Sequence, residues 1–232
     1  SGKVKAVSAS GADEEKGGRI IEKTKKFVKD KLEGEGSGHD WWHIVRVYNT
    51  ALDIAQKEGN CDIFIVELAA LLHDIADWKF HDGDLNKGSE VTTEFLLSLN
   101  VDNKIITHVS DIIRNISFKG ANVENTITSI EGEIVQDADR LDAIGAIGIG
   151  RAFAYGGFMK REMHNPDVSH EIHNTFEEYK SKSGSTINHF YEKLLLLKDK
   201  MNTKTGREKA MERHEFMESF LVEFYSEWEG SH

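Results

Sequence analysis

The chain of 232 residues is long enough to bury a sizeable core, and it is expected to do so as one domain. A formal net charge of -11 speaks against a nucleic-acid backbone or an anionic membrane surface as the main partner, although a local cluster of bases and a metal would still accept a small anionic substrate. The lone cysteine, Cys61, excludes an internal disulfide framework and fits a reducing, cytoplasmic compartment, and no apolar run is long enough to span a bilayer.

Residues 1–18 are rich in Gly, Ser, Ala and charge, which predicts a disordered tail ahead of a folded unit over 19–230; the opening Ser1-Gly2 points to an expression scar or a processed end. Ile20, Ile21, Phe27, Val28 and Leu32 recur at helical spacing, and Gly34, Gly36 and Gly38 end that first helix. Asp40 can cap the next, in which Ile44, Val47, Ala51, Ile54 and Ala55 trace a stripe from Trp41 to Lys57, closed by Gly59 and Asn60. Asp62 then caps Ile63 to Asp77, predicted as a central helix that is apolar on nearly every side and so carries its His73-Asp74 pair inward.

A turn at His81 to Asp84 precedes helices predicted over about 86–99 and 102–116, and a polar loop runs from about Lys119 to Asn125. Ile127 to Met159 reads as helical and is crowded with glycine and alanine, a pattern that predicts close packing or ligand approach, because each glycine costs roughly 1 kcal/mol inside a helix. Lys160 to Gly184 is polar, contains Pro166 and three histidines, and is a candidate lid. Terminal helices are predicted over about 185–200 and 204–229; the aromatic stripe Phe216, Phe220, Phe224 and Trp228 reads as core or as the surface of a homodimer.

Three separated pieces carry side chains that bind metals. His43 lies in HDWWHIVRV with Arg46 on the same helical face; His73 and Asp74 come from the central helix, with Asp77 one turn beyond His73; Asp137, Asp139 and Asp142 crowd into DADRLDA. Mixed nitrogen and oxygen ligation with open positions is what a hydrolytic metal needs, since water and a substrate oxygen must take the remaining places.

The segments GHDWWHIVRV, ALLHDIADWKF and DADRLDAIGAIG, in that order, resemble the HD-domain metal-dependent phosphohydrolase superfamily over about residues 39–155, and in particular the bacterial-type HD hydrolases that act on nucleoside triphosphates. The resemblance implies an all-α, single-domain helical bundle and metal ligation by His43, His73, Asp74 and Asp139. Asp139 is preferred to its neighbours because the family's last ligand is the Asp of an Ala-Asp pair before a hydrophobic residue, as in Ala138-Asp139-Arg140-Leu141; Asp137 or Asp142 would then orient a ligand histidine. Asp77 holds the place of an acid that positions or deprotonates the attacking water in related enzymes. His39 is assigned to the loop before the helix, outside the ligand set, while His81 and His108 could extend the site to a second metal.

Phosphate chemistry also needs positive charge near developing oxyanions; Lys79 is the first choice, with Arg46, Arg140, Arg114 and Lys119 as further substrate contacts. Manganese is the expected ion, with cobalt, iron, zinc, nickel and magnesium as alternatives, because two imidazoles suit the transition metals better than magnesium. The implied reaction is cleavage of a nucleoside triphosphate to monophosphate and pyrophosphate. A nucleoside monophosphate phosphatase is the nearest alternative, and a non-catalytic ligand-binding HD module is the rival of another class.

Overall fold

The apolar stripes fold as helices, and the computed structural model, which describes residues 11–34, 39–76, 84, 86–117, 124–168 and 184–232, contains no strand among them. In chain order these are α1 (Gly11–Leu32), α2 (Trp41–Glu58), α3 (Ile63–Leu72), α4 (Lys87–Ser98), α5 (Asn103–Asn115), α6 (Ile130–Leu141), α7 (Gly145–Phe158), α8 (Thr186–Glu192), a 3-10 helix (Leu194–Lys200) and α9 (Lys204–Trp228). The most apolar of them, α3, lies at the centre against α1, α2, α5 and α6, and its residues Val66 and Leu68 to Leu72 are buried. A helix with no polar face must be surrounded on all sides, and the other elements are arranged to do that. On the far side α9 packs on α7, α6 and α2.

Side-chain caps set most helix starts. Asp40 accepts the amide of His43 at 3.0 Å, Asp62 accepts those of Phe64 and Ile65, and Ser129, Ser185 and Thr203 do the same for α6, α8 and α9. Each satisfies amides that the helix itself leaves without partners.

Four boundaries differ from the sequence expectation. The first helix begins at Gly11, inside the expected tail, with Asp13 and Glu14 in its first turn, where the helix dipole favours carboxylates, and a Glu15–Arg19 pair at 3.0 Å. The central helix stops at Leu72, so His73 to Ala76 form a turn; Asp77, and with it the continuation of the helix, lies outside the described residues. The small-residue segment is two helices, broken where Ile144 gives way to Gly145 at φ 74°, a left-handed conformation that glycine adopts without strain. The penultimate helix ends at Glu192, and the leucine run winds into a 3-10 helix whose three-residue period buries both Leu194 and Leu197. Of the expected lid only its flanks, residues 160–168 and 184, are described.

The aromatic stripe is divided. Phe220 and Phe224 pack on Phe153, and Phe220 also stacks on Phe190, while Phe216 and Trp228 are about half exposed at 53% and 47%.

The glycines of α7 are not equivalent. A Cβ on Gly148 would fall inside the Ala143 carbonyl, and one on Gly156 would fall on the Thr186 hydroxyl, whereas Gly150 and Gly157 face open space. Gly148→Ala therefore overpacks the turn between α6 and α7 at a cost of roughly 1–3 kcal/mol, lowering the melting temperature by roughly 2–12 °C. Gly150→Ala removes only a helix-interior glycine and should be neutral or stabilising by up to about 1 kcal/mol. Equal melting shifts for the two variants, measured by calorimetry, would show that the close approach at Gly148 does not matter.

Candidate metal centre

His43 sits in the first turn of α2 and is fully buried, fixed there by the Asp40 cap below it and by the buried Ile44 and Val47 beside it. Its Nδ1 lies 2.6 Å from Asp142 Oδ2, so the ring donates at Nδ1 to a carboxylate and turns the Nε2 lone pair inward. His73 closes the C-terminal end of α3 and donates from Nδ1 to the Ala70 carbonyl at 2.7 Å, which leaves its own Nε2 as an acceptor. The tautomers assigned from these partners put two lone pairs face to face, because His43 Nε2 and His73 Nε2 are 3.1 Å apart.

Two carboxylates join them. Asp74 Oδ2 lies 3.1 Å from His43 Nε2 and 3.6 Å from His73 Nε2; Asp139 Oδ1 lies 3.5 Å and 3.2 Å from the same two nitrogens. Donors with separations of this size are spaced as ligands roughly 2.0–2.2 Å from a common centre. His43, His73 and Asp139 place their ligand atoms within 4.8 Å of one another, as do His39, His43 and Asp74, and acceptors this close repel unless a proton or a cation lies among them, so the chemistry of the donor set fits a divalent cation. The side chain of Asp139 is 29% exposed while those of His43 and His73 are 0% and 1%, so the cluster opens to solvent on the Asp139 side.

The electrostatics carry the same demand for positive charge. Burial works against protonating His43, yet hydrogen bonds to Asp139, Asp142 and Asp74 outweigh it and raise its pKa from 6.5 to about 10. Burial likewise opposes a charge on His73, and Asp74 and Asp139 again win, raising it. Protonating both rings would set two N–H groups head to head, so the pair takes a first proton readily and resists a second. Burial pushes the Asp74 and Asp139 carboxyls up, but the imidazoles around them hold both well below the usual carboxylate range.

Three crowded carboxylates have three different tasks. Asp139 joins the donors. Asp142, at the end of α6, takes the other side of His43 and is itself clamped by Arg46, whose Nε and a terminal nitrogen bond its two oxygens at 2.8 and 3.0 Å, and by Arg151, 3.3 Å from Oδ2 and bonded to its backbone carbonyl at 3.1 Å. Although burial opposes its charge, His43 and Arg46 draw the Asp142 carboxyl down to about 2. Asp137 points away: it accepts from the amides of Asn202 and Thr203 at 2.8 Å each and from the Thr203 hydroxyl at 2.7 Å, tying α6 to the start of α9.

The expected ligands His43, His73, Asp74 and Asp139 are thus brought together. Of the expected cationic contacts, Arg46 is engaged by Asp142; Arg140 is buried and donates to the Lys200 carbonyl; Arg114 bonds Asp111 and Ser89. Neither Arg140 nor Arg114 hydrogen-bonds the cluster, because the first faces the 3-10 helix and the second the α4–α5 pair. Asp77, Lys79, Lys119 and His81 lie outside the described residues, and His108 is not among the converging donors. Two further participants lie outside the expected ligand set. His39 Nδ1 lies 2.8 Å from Asp74 Oδ2, a contact that the HDxxH spacing could have suggested, since the residue before a helix cap lies over the first turn. Arg151 carries no local signal, because it reaches Asp142 only through the turn at Gly145.

The HD domain family model matches residues 41–144, a span that holds all four donors. Bacillus subtilis YpgQ is 41% identical over 201 residues, 86% of this chain and 89% of YpgQ. The chain belongs to the HD superfamily of hydrolases. An HD-superfamily hydrolase from Bacillus thuringiensis has 42% identity and a TM-score of 0.70, covering 92% of this HD hydrolase and 99% of that chain. A Lactobacillus plantarum protein superposes with a TM-score of 0.81 at 35% identity, covering 90% and 97% of the two chains. YpgQ, solved in complex with ADP, superposes with a TM-score of 0.71, covering 90% of this chain and 98% of its own.

Asp142→Ala frees the His43 ring and should weaken metal binding by roughly 10–100-fold without emptying the site, as measured by calorimetric titration of the apoprotein. Protons and metal compete for the same donors. With the folded pKa of His43 above the ordinary 6.5, its contribution to metal-free stability is complete below about pH 6.5 and is lost as pH climbs through about 10. Metal must displace that proton, so between pH 7 and 9 the apparent affinity should rise by up to about tenfold per pH unit. A pH-independent affinity would contradict the proton count.

Proposed function

We propose that this HD hydrolase is a divalent-metal-dependent phosphohydrolase of nucleotides that cleaves a nucleoside triphosphate to the monophosphate and pyrophosphate. The observation that carries the reading is the convergence of His43 Nε2, His73 Nε2, Asp74 Oδ2 and Asp139 Oδ1, with one side open to solvent. The nucleotide enters through YpgQ, similar over nearly the whole chain and solved with ADP.

His43, His73, Asp74 and Asp139 would hold the ion, manganese being the proposed one. When bound, such an ion acts as a Lewis acid that lowers the pKa of a water and polarises a phosphoryl oxygen. The chain's own contribution begins with orientation. Asp142, held by Arg46 and Arg151, keeps the His43 proton on Nδ1 and its lone pair on the reacting side. His39 and the Ala70 carbonyl do the same for Asp74 and His73. The full burial of His43 and His73 keeps water off the inner side of the cluster, so substrate approaches past Asp139.

Asp77 is proposed to take the water proton, and Lys79 to meet the charge developing on the phosphate oxygens, with Lys119 and Arg114 as outer contacts. Arg46, with its side chain 34% exposed, offers the guanidinium N–H groups that Asp142 does not use. Arg140 acts on the site only through its longer-range charge.

A panel of nucleoside mono-, di- and triphosphates assayed with Mn2+, reading orthophosphate and pyrophosphate separately, should give pyrophosphate from triphosphates. Orthophosphate from monophosphates would select the phosphatase reading, and silence across metals and substrates would leave a ligand-binding module. Within the site, Asp74→Ala should lose both metal and turnover, whereas Asp77→Ala should keep metal and lose roughly 10²–10⁴-fold in rate. An empty site in Asp77→Ala would move that residue into the ligand set.

A further inference from the structure

Beneath α1 lies a cavity of about 780 Å3 that shares no lining residue with the metal cluster. Its volume is in the range of pockets that take small organic ligands. The floor is apolar, built from Ile21 of α1, Phe64 of α3, and Val101 and Ile105 at the start of α5. The charged residues of the lining are biased, five acidic (Asp13, Glu14, Glu22, Glu67 and Asp102) against two basic (Lys16 and Lys25). An excess of three negative charges around a partly enclosed apolar space sets up a potential that draws in cations and repels anions.

The chain itself indicates the chemistry that suits this space. Lys25 places its ammonium 4.9 Å from the centroid of the Tyr48 ring and 3.3 Å from Glu22 Oε1, so an amine is already accommodated between an aromatic face and a carboxylate. The Tyr48 hydroxyl donates to Glu67 Oε2 at 2.6 Å, which fixes that carboxylate in the wall and leaves Oε1 without a hydrogen bond from the tyrosine. An organic cation with an apolar body would place its charge at Glu67, since Glu22 is already paired with Lys25, and its body against Phe64, Val101 and Ile105. A nucleotide or other phosphate would meet like charge, so this space is unsuited to the substrate of the metal centre.

We propose that the cavity under α1 is a second ligand site, distinct from the metal centre, which takes an amphipathic organic amine. Its walls include Tyr48 on α2, which carries His43, and Glu67 on α3, which His73 closes, so an occupant touches both helices that present the imidazoles.

The test is a ligand-observed NMR titration of the full chain with phenylbutylammonium, with phenylbutanol and phenylpentanoate as neutral and anionic counterparts. The ammonium should bind saturably, the alcohol at least about tenfold more weakly, and the carboxylate not at all; tenfold corresponds to about 1.4 kcal/mol. Glu67→Gln keeps the shape and should weaken the ammonium several-fold. Gly17→Leu should abolish binding, because Gly17 lines the cavity and a Cβ there meets only the Phe64 ring at 3.9 Å, which leaves the leucine to extend into the ligand's space. Replacing a helix-interior glycine also favours α1, so this variant is expected to fold. Asp74→Ala should leave the affinity unchanged. Equal affinity for the carboxylate, or undiminished binding in Gly17→Leu, would overturn the proposal. The readout needs neither metal nor nucleotide, so its failure is separable from failure of the hydrolase reading.

Discussion

The imidazole of His43 is held from both sides, and much of the molecule is arranged to allow it. A neutral ring has one donor and one acceptor nitrogen, so donating at Nδ1 to Asp142 leaves the Nε2 lone pair for the cluster. That bond is only as firm as the position of Asp142, which ends α6 just before the chain turns into α7, where the carbonyl of Ala143 leaves no room for a side chain on Gly148. Arg46 reaches Asp142 from the same helix as His43, and Arg151 reaches it from α7. A guanidinium on each side sustains a buried carboxylate that would otherwise be costly to ionise. Three helices therefore meet at a single anion, and the direction of one lone pair is the result.

The carboxylates at the end of α6 separate according to what satisfies them. Asp137 is met by two amides, a hydroxyl and a side-chain amide, all neutral donors, and burial raises its pKa. Asp139 is met, among the described residues, by the imidazole nitrogens of His43 and His73, which answer its charge when one of them carries a proton or when a cation lies between them. Asp142 is met by imidazole and guanidinium N–H groups, a matched set that needs nothing further. Position along the helix does not distinguish the three. The partner elements do, and these arrive from 65 and 96 residues away.

That distance marks the limit of what the sequence discloses. Local signals were read well: Asp40 and Asp62 cap the helices they were expected to cap, and the stripe from Ile44 to Ala55 is buried as its spacing requires. The four donors were legible because they stand in three ordered motifs that resemble a family. The end of the central helix was not legible, since Leu72, His73 and Asp74 continue an unbroken helical pattern, and only the Nδ1 bond back to Ala70 shows where the turn begins. Arg46 was legible as a residue on the site's face but not as the clamp on Asp142, because its partner lies outside the window that periodicity examines. The start of α1 is hidden for a similar reason: residues 11–18 have the Gly, Ala and charge of a tail and no apolar period, and the Phe64 ring that lies against Gly17 comes from another helix.

All four donors fall within the span that matches the HD family model, yet several groups that fix them do not. His39 precedes that span, and Arg151 follows it, as do Asn202 and Thr203, which anchor α6 through Asp137. A metal centre of this kind needs donors of the right type, which a short motif supplies, and it needs those donors to stay aimed at one point, which takes packing and hydrogen bonds from the whole chain. The flanking helices are thus part of the site's physics even where no side chain of theirs touches the cluster. Removing α9 together with its cap at Asn202 and Thr203 would take away the groups that donate to Asp137 and loosen the helix that carries Asp139, although neither Asn202 nor Thr203 belongs to the cluster. The family core determines which atoms converge, and the flanks determine how tightly they are held.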